Sequence, residues 1–371
     1  MRVRSAQIDE LRLDLAEPFE TSFGVQRHRR LLIVNLETPE GLIGRGECVA
    51  TEEPRYSSET VETARGAILS FLLPPVFRMR SVDPAAFRVA VAPFRGNAMA
   101  KAAVEGALWD LAAQQHRRSL SHELGGRRTR IEVGVSVGIQ PTVAGLVRRV
   151  GRYLDEGYRR VKLKVRPGWD ARPVGAVRRE FPDLRLWVDA NQAYPPRSLD
   201  AIRKWAERYE VEQVEQPFPE HAFSAHARLA RGAPFKVCLD ESIVDPWSLE
   251  DALDRGSLTS LNVKAGRVGG LGIGLEMGKR AARARLPAWV GGMLETGIGR
   301  AGNVALASCS PFSFPGDLSA SARYFADDIA EPEFVLGPGS TLAVPRGPGL
   351  GVSIVARSYR RHLRRRVLRR A

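Results

Sequence analysis

Five charged residues recur at a nearly constant interval in the middle of the chain. Lys164, Asp189, Glu215, Asp240 and Lys264 are separated by 25, 26, 25 and 24 residues. Each stands at the end of a short apolar stretch, and the interval has the length of one strand and one helix. The repeat therefore predicts that the five side chains occupy the same position in successive βα units.

The three acidic members of this series predict a site for a hard divalent cation. Carboxylates packed together on adjacent strands would repel one another and take up protons unless a cation lay between them. Oxygen ligands without histidine or cysteine favour Mg²⁺ over zinc, and Mn²⁺ can substitute for it. We therefore expect Asp189, Glu215 and Asp240 to bind Mg²⁺.

The two lysines of the series stand on the strands that flank the acidic ones. A partly desolvated lysine near a metal has a pKa closer to neutrality and can act as a base. Arg267 follows Lys264 by three residues, and this second cation predicts a further lowering of the Lys264 pKa. A base beside a metal-bound carboxylate predicts removal of the proton α to that carboxylate. Two facing lysines permit racemisation, and one lysine acting twice permits β-elimination.

Short apolar strands alternate with helical stretches from about residue 131, which predicts parallel strands joined by helical crossovers. An open doubly wound sheet would also alternate, but only a closed barrel brings five strand ends naturally to one mouth. The predicted strands are 131–138, 159–165, 184–191, 211–217, 235–242, 258–266 and 286–292.

The stretch RRVKLKV at 159–165 alternates apolar and basic residues, as a strand does. Lys162 and Lys164 must therefore point to the same face. Because Lys164 belongs to the five-residue series, we expect both lysines to point into the barrel.

The chain before about residue 130 does not show this alternation of strands and helices. Residues 31–50 read as a β-hairpin with a Pro-Glu-Gly turn, and residues 98–116, dense in alanine and leucine, read as a helix. We expect this part to be a separate α+β domain.

Composition limits the remaining possibilities. The 371 residues are 44% hydrophobic and 26% charged, as in ordinary globular proteins, and hold only three widely spaced cysteines. No apolar run is long enough for a membrane span and no signal peptide is visible, so we expect a cytoplasmic protein. The net charge of +14 falls to about +6 without the tail 357–371, which carries eight arginines. We expect this tail to be solvated and frayed, and contact with a polyanion is the alternative.

The chain contains the motifs KLK, DAN, VEQP, LDES, NVKAGRVGG and GGMLETGIGR. Together these motifs resemble the enolase superfamily, in its muconate-cycloisomerase-like group. The segments PFETSFGVQ (18–26), GGMLETGIGRAGNVALAS (291–308) and GPGLGV (347–352) resemble most closely o-succinylbenzoate synthases and N-succinylamino acid racemases. The resemblance covers nearly the whole chain.

The resemblance implies an α/β fold, a (β/α)7β TIM-like barrel with an α+β capping domain. We expect the capping domain at 1–130, the barrel at 131–320, and a C-terminal segment at 321–371 that returns to the capping domain. The resemblance also implies Mg²⁺ on the three carboxylates and Lys164 and Lys264 as the acid/base pair. The expected substrate contacts come from Lys162, Asn191, Arg267, Ser136, Gly292, Met293 and Phe23, the last as a lid residue.

The implied activity is o-succinylbenzoate synthesis, with N-succinylamino acid racemisation as an additional activity. A dedicated N-acylamino acid racemase or another epimerase of the superfamily is the alternative, because the same barrel residues serve all of these reactions. Nucleic-acid binding through the arginine-rich tail is a remote third hypothesis. We expect a small-molecule carboxylate substrate and, because family members are often oligomeric, a homo-oligomer.

Overall fold

The computed structural model of the protein describes residues 2–371. The strands are β1 (Ser5–Thr21), β2 (Gly24–Glu37), β3 (Ile43–Cys48), β4 (Arg130–Glu132), β5 (Val135–Val137), β6 (Arg160–Lys164), β7 (Arg185–Asp189), β8 (Gln213–Glu215), β9 (Lys236–Leu239), β10 (Ser260–Val263), β11 (Ala288–Val290), β12 (Ala330–Glu331), β13 (Thr341–Ala343), β14 (Ser353–Ile354) and β15 (Leu363–Arg370).

The helices are α1 (Val61–Ala67), α2 (Leu73–Arg78), α3 (Pro84–Val91), α4 (Ala98–Gln115), α5 (Leu120–Glu123), α6 (Val143–Asp155), α7 (Ala171–Glu180), α8 (Leu199–Arg208), α9 (Phe223–Ala230), α10 (Pro246–Asp254), α11 (Ala265–Val268), α12 (Leu271–Arg283), α13 (Gly297–Ala307) and α14 (Ala356–His362). A π-helical turn, Ile68–Leu72, joins α1 to α2, and 3₁₀ turns cover Pro196–Ser198 and Ser321–Arg323. None of the helices within residues 2–371 has the length and apolar character needed to cross a membrane.

The N-terminal part is an antiparallel sheet covered by helices. Its strand order is β15-β1-β2-β3, and α4 packs against β3. The predicted hairpin forms as β2 and β3, joined by a turn in which Gly41 has a φ of 85°. A glycine suits this left-handed conformation because it has no Cβ to clash. The predicted helix at 98–116 is α4.

The arginine-rich tail is ordered, and the prediction that it is frayed was wrong. Its residues form α14 and then β15, which pairs antiparallel with the edge of β1. Arg366 Nε donates to Asp9 Oδ1 at 2.7 Å, and the Tyr359 hydroxyl donates to Asp9 Oδ2 at 2.8 Å. The free edge of β1 and the buried Asp9 give these arginines backbone and charge partners that composition alone does not reveal.

The central part is a closed parallel barrel, which confirms the predicted fold class. Strands β5 to β11 lie side by side in chain order in one parallel sheet. The segment 312–317 occupies the position of an eighth barrel strand, and we call this segment the eighth stave. Phe312 bridges Ala288 at one edge of the sheet, and Gly316 bridges Val133 at the other, which closes the barrel.

The outer helices follow from their apolar spacing. In α6, Leu146, Val150 and Tyr153 recur at intervals of four and three residues, and all three are buried. That spacing places one apolar stripe against the strands while the arginines between them face outward.

Two carboxylates of the N-terminal part fasten it to barrel helices. Glu105 on α4 accepts hydrogen bonds from Leu271 N at 2.6 Å and Gly272 N at 3.1 Å, at the first turn of α12. Glu47 on β3 accepts from Thr296 N at 3.1 Å and Gly299 N at 2.9 Å, at the first turn of α13. Each carboxylate thus satisfies backbone N–H groups that a helix start leaves without intrahelical partners.

Candidate active site

The strand ends bring the five residues of the sequence series to one mouth of the barrel. Lys164, Asp189 and Glu215 are the last residues of β6, β7 and β8, and they stand side by side in the parallel register. Asp240 and Lys264 directly follow β9 and β10. All five side chains are buried. The common register explains why the spacing of about 25 residues converts into proximity.

Lys162 lies one layer deeper, and both lysines of the KLK stretch point into the barrel, as predicted. The Nζ of Lys162 donates to Glu215 Oε2 at 2.6 Å, lies 3.3 Å from Asp189 Oδ2, and forms an ion pair with Asp317. Burial opposes the charged form, but Asp317, Glu215 and Asp189 together raise the pKa of Lys162 above its usual value. The three carboxylates around Lys162 therefore favour its charged form.

Lys164 is held by the loop that follows β7. Its Nζ donates to Asp189 Oδ2 at 2.6 Å and to Asn191 Oδ1 at 2.7 Å. Asn191 adopts a φ of 42°, a left-handed conformation that asparagine tolerates better than most residues. Its side-chain amide also donates to Glu241 Oε1 at 3.0 Å. Asn191 thus joins the lysine to the acidic residues of the mouth.

Lys264 reaches the same mouth on the third strand beyond Asp189. Its Nζ donates to Asp240 Oδ2 at 2.7 Å and to the Tyr56 hydroxyl at 3.3 Å, and lies 4.8 Å from the centre of the Tyr56 ring. The pKa of Lys264 is raised, because Tyr56 and nearby carboxylates outweigh the opposing effect of burial. The predicted net lowering of the Lys264 pKa is therefore not found.

Arg267 is bound by protein groups outside the cavity. Its Nε donates to Ile243 O at 2.7 Å, its Nη2 donates to Asn262 O at 2.6 Å, and Nη1 forms an ion pair with Asp240. The guanidinium is therefore bound behind Asp240, and Arg267 is not among the residues that line the cavity. The structure places it against a candidate metal ligand rather than against the substrate space.

The acidic residues of the mouth have the chemistry of a hard-cation site. Burial raises the pKa of Glu215, and Asp189 raises it further. The neighbouring Glu241 has a pKa raised to about 7 for the same two reasons, and its buried Oε2 has no hydrogen-bond partner. A cation would satisfy such an oxygen and relieve the repulsion.

The carboxylates of the mouth are paired with basic side chains. Within residues 2–371, no three histidine, cysteine, aspartate or glutamate side chains are grouped so as to hold a metal. Asp240 pairs with Lys264 and Arg267, while Glu215 pairs with Lys162. These ammonium and guanidinium groups supply the positive charge at the mouth. The oxygen-only donor set nevertheless fits Mg²⁺ or Mn²⁺.

A cavity of about 300 Å³ opens at the mouth and extends to the N-terminal part. Among its lining residues are the following predicted site residues: Phe23, Ser136, Lys162, Lys164, Asp189, Asn191, Lys264, Gly292 and Met293. Phe23 lies in the turn between β1 and β2, with its ring edge-on to Tyr56 at 6.3 Å between centres. Ser22 Oγ donates to Asn191 O at 2.9 Å, so the same turn touches the barrel mouth.

Three residues of this mouth were not found from the sequence. Tyr56 stands in an irregular loop of the N-terminal part with no pattern around it. Asp317 lies on the irregular eighth stave, which the strand pattern does not mark. Glu241 directly follows Asp240 in the quoted LDES motif, and this adjacency was an available signal.

Comparison with known proteins agrees with this architecture. Residues 4–125 match the family described as "Mandelate racemase / muconate lactonizing enzyme, N-terminal domain", and residues 145–358 match "Enolase C-terminal domain-like". The chain is 43% identical over 354 residues to the N-succinylamino acid racemase of Amycolatopsis sp., covering 95% of both chains. It is 41% identical over 352 residues to the o-succinylbenzoate synthase of Geobacillus stearothermophilus, covering 95% of this chain and 93% of that protein.

A solved structure is also similar to this chain over nearly its whole length. A member of the enolase superfamily from Listeria innocua superposes with a TM-score of 0.95 at 38% identity, covering 100% of this chain and 99% of that one. Sequence and fold therefore agree: the chain belongs to the mandelate racemase/muconate lactonizing enzyme family of the enolase superfamily.

Proposed function

We propose that the protein is an o-succinylbenzoate synthase. The substrate would be 2-succinyl-6-hydroxy-2,4-cyclohexadiene-1-carboxylate, an intermediate of menaquinone biosynthesis. The observation that carries the proposal is the placement of Lys164 and Lys264 in one cavity, on strands flanking those of Asp189, Glu215 and Asp240. The relatives named o-succinylbenzoate synthase and N-succinylamino acid racemase support it.

Asp189, Glu215 and Asp240 would hold the metal ion. Members of the family are generally Mg²⁺-dependent. When bound, the ion would supply positive charge beside the substrate carboxylate and so make the adjacent carbon more acidic. Within the chain itself, the Lys162 ammonium, which lies among three carboxylates, contributes positive charge to the same region.

Lys164 would act first as base and then as acid. As a neutral amine, its Nζ takes the proton from the carbon α to the carboxylate. It then returns this proton to the leaving hydroxyl, which departs as water while the ring becomes aromatic. Asn191 and Asp189 orient the Nζ for both transfers through their hydrogen bonds to it. Lys264 stays protonated and stabilises negative charge from its own side of the cavity.

Racemisation of N-succinylamino acids is the second candidate activity. It is favoured by the presence of a second lysine, Lys264, in the cavity. In that reaction Lys164 and Lys264 would exchange roles, one removing the α-proton and the other delivering a proton to the opposite face. All three cysteines are buried and unpaired, which supports the proposal of a cytoplasmic location for either activity.

The test is Mg²⁺-dependent consumption of the cyclohexadiene substrate, followed by ultraviolet absorbance. The parent should turn it over, and Lys164→Ala should lower kcat by roughly 10²- to 10⁴-fold, since that is the usual contribution of a general base. Lys236→Ala is the matched control, because Lys236 is exposed at the opposite end of β9. Its kcat should equal that of the parent.

Absence of turnover by the parent with Mg²⁺ bound would reject the synthase proposal. Racemisation of N-succinylamino acids, measured by optical rotation on the same preparation, would then become the leading function. Full activity of Lys164→Ala would reject Lys164 as the base.

A further inference from the structure

Asp317 is a buried carboxylate at the barrel mouth that the proposed reaction does not use. It stands on the eighth stave, beside the cavity. One oxygen, Oδ1, accepts from Arg160 Nη1 at 2.5 Å, while Oδ2 pairs with Lys162 Nζ and accepts from Ser136 Oγ at 3.2 Å. Although burial opposes it, Lys162 and Arg160 hold the pKa of Asp317 well below its usual range.

Arg160 anchors this carboxylate from beneath. Its Nη2 donates to Pro315 O at 3.0 Å and to Gly316 O at 2.6 Å, on the same stave as Asp317. Its guanidinium carbon also lies 4.3 Å from the centre of the Trp187 ring. Asp317 therefore has a fixed position, because it is bound by the buried guanidinium of Arg160. Arg160 itself is not among the residues that line the cavity.

Lys162 is shared by three carboxylates. Its Nζ contacts Glu215 and Asp189, which are candidate metal ligands, and Asp317, which is not. A cation in this position competes with a metal ion for the first two carboxylates. Asp317 attracts the Lys162 ammonium toward the eighth stave and away from Asp189 and Glu215.

We infer that Asp317 is a positioning residue for the metal site: by binding Lys162, it leaves Asp189 and Glu215 available to a divalent cation. The inference rests on the metal site proposed above. Without the Asp317 charge, the Lys162 ammonium has only Asp189 and Glu215 to neutralise it. It would then bind them more tightly and oppose the metal.

The test is the affinity of the substrate-free protein for Mg²⁺, measured by calorimetry. Asp317→Asn keeps the shape of the side chain and removes its charge, and it should weaken Mg²⁺ binding roughly 10- to 100-fold, as loss of an outer partner of a metal site typically does. Asp328→Asn is the matched control. Asp328 is also a buried aspartate, but it accepts from Gly297 N, at the start of α13, and from its neighbour Ile329 N rather than from Lys162.

A second pair of variants separates positioning from simple loss of negative charge. In a Lys162→Met background, Asp317→Asn should have no further effect on Mg²⁺ affinity, because the competing ammonium is gone. The same weakening in both backgrounds, or an unchanged affinity in Asp317→Asn, would overturn the inference. If circular dichroism shows that Asp317→Asn does not fold, the Mg²⁺ affinity of Ser136→Ala is measured in its place. Ser136→Ala removes one hydrogen bond to Asp317, and an unchanged Mg²⁺ affinity would then refute the role.

These measurements are independent of which substrate is turned over. A parent that binds no Mg²⁺ would overturn both the metal site and the role of Asp317. A parent that binds Mg²⁺ and shows the expected loss in Asp317→Asn, yet does not consume the cyclohexadiene, would retain the inference and reject only the synthase proposal.

Discussion

At the scale of single residues, Tyr56 connects the N-terminal part to a candidate acid/base lysine. Its hydroxyl donates to Asp240 Oδ1 at 3.0 Å and accepts from Lys264 Nζ at 3.3 Å, while its ring faces that ammonium. Hydrogen bonds to charged groups are stronger than those between neutral groups. Tyr56 therefore helps to fix Lys264 on one side of the cavity, whereas Lys164 forms its hydrogen bonds with barrel residues.

We predict that Tyr56→Phe lowers racemisation more than dehydration. The variant keeps the aromatic ring but loses the hydroxyl that orients Lys264. Racemisation needs proton transfer through Lys264, so its kcat should fall roughly tenfold, about the cost of one hydrogen bond to a charged group. Dehydration through Lys164 should fall less. Both rates are measured on one preparation, with Tyr158→Phe as control, which loses a hydrogen bond from Ala320 N outside the cavity. An equal fall in both rates would contradict the prediction.

At the scale of elements, strand ends position the reactive groups and helix starts fasten the two parts of the chain together. Glu47 and Glu105 each satisfy the first N–H groups of a barrel helix. Both carboxyls are buried, and burial raises their pKa values, to about 8 for Glu47 and about 7 for Glu105. The junction is therefore sensitive to pH in a range where exposed carboxyls no longer titrate.

We predict that Glu47 makes the protein less stable as the pH rises from 5 to 8. A carboxyl whose pKa is raised on folding binds its proton more tightly in the native state, so its contribution is present below pH 4.5 and is lost as the pH rises through about 8. Relative to Glu47→Gln, the parent should lose at least about 1 kcal/mol of unfolding free energy over this range, the equivalent of one pKa unit. Urea unfolding at both pH values measures it.

The control for this comparison is Glu333→Gln, which changes an exposed glutamate outside the junction. Its unfolding free energy should follow the pH dependence of the parent. If the difference between the parent and Glu47→Gln is the same at pH 5 and pH 8, Glu47 does not titrate in this range.

At the scale of the whole molecule, the cavity exists only because two parts of the chain meet. The turn at Phe23 and the loop at Tyr56 come from the N-terminal part, while the lysines and carboxylates come from the barrel. The C-terminal segment then returns to the N-terminal sheet through β15. Neither part alone encloses the substrate space.

We predict that Mg²⁺ stabilises the folded protein, because unfolding separates the three carboxylates that would bind it. A ligand that binds only the native state at about 100 times its Kd adds about 2.7 kcal/mol to the unfolding free energy. Urea unfolding with Mg²⁺ and with EDTA measures this difference, which should be much smaller in Glu215→Gln. An equal gain in parent and variant would indicate that Mg²⁺ binds elsewhere.

The sequence by itself determined the barrel and the five residues of the series at its mouth. Because each βα unit has nearly the same length, residues about 25 positions apart fall at equivalent strand ends, and a repeat in sequence becomes a cluster in space. The hairpin of β2 and β3 and helix α4 could also be predicted from the sequence, because periodicity and turn residues are local properties. The expected homo-oligomer and the proposed domain limits remain predictions.

Only the tertiary structure decided the contacts that no local pattern encodes. Asp317 and Tyr56 reach the mouth from an irregular stave and an irregular loop, so neither carries a periodic signal. Arg267 pairs with the buried carboxylate of Asp240 and does not line the cavity, so the expected substrate contact does not form. The arginine-rich tail becomes a strand because β1 offers a free edge, with paired residues 352 (Leu11 and Leu363) to 365 (Ser5 and Arg370) positions apart in sequence. Such long-range pairings depend on which surfaces the folded chain leaves without partners, and composition does not record that.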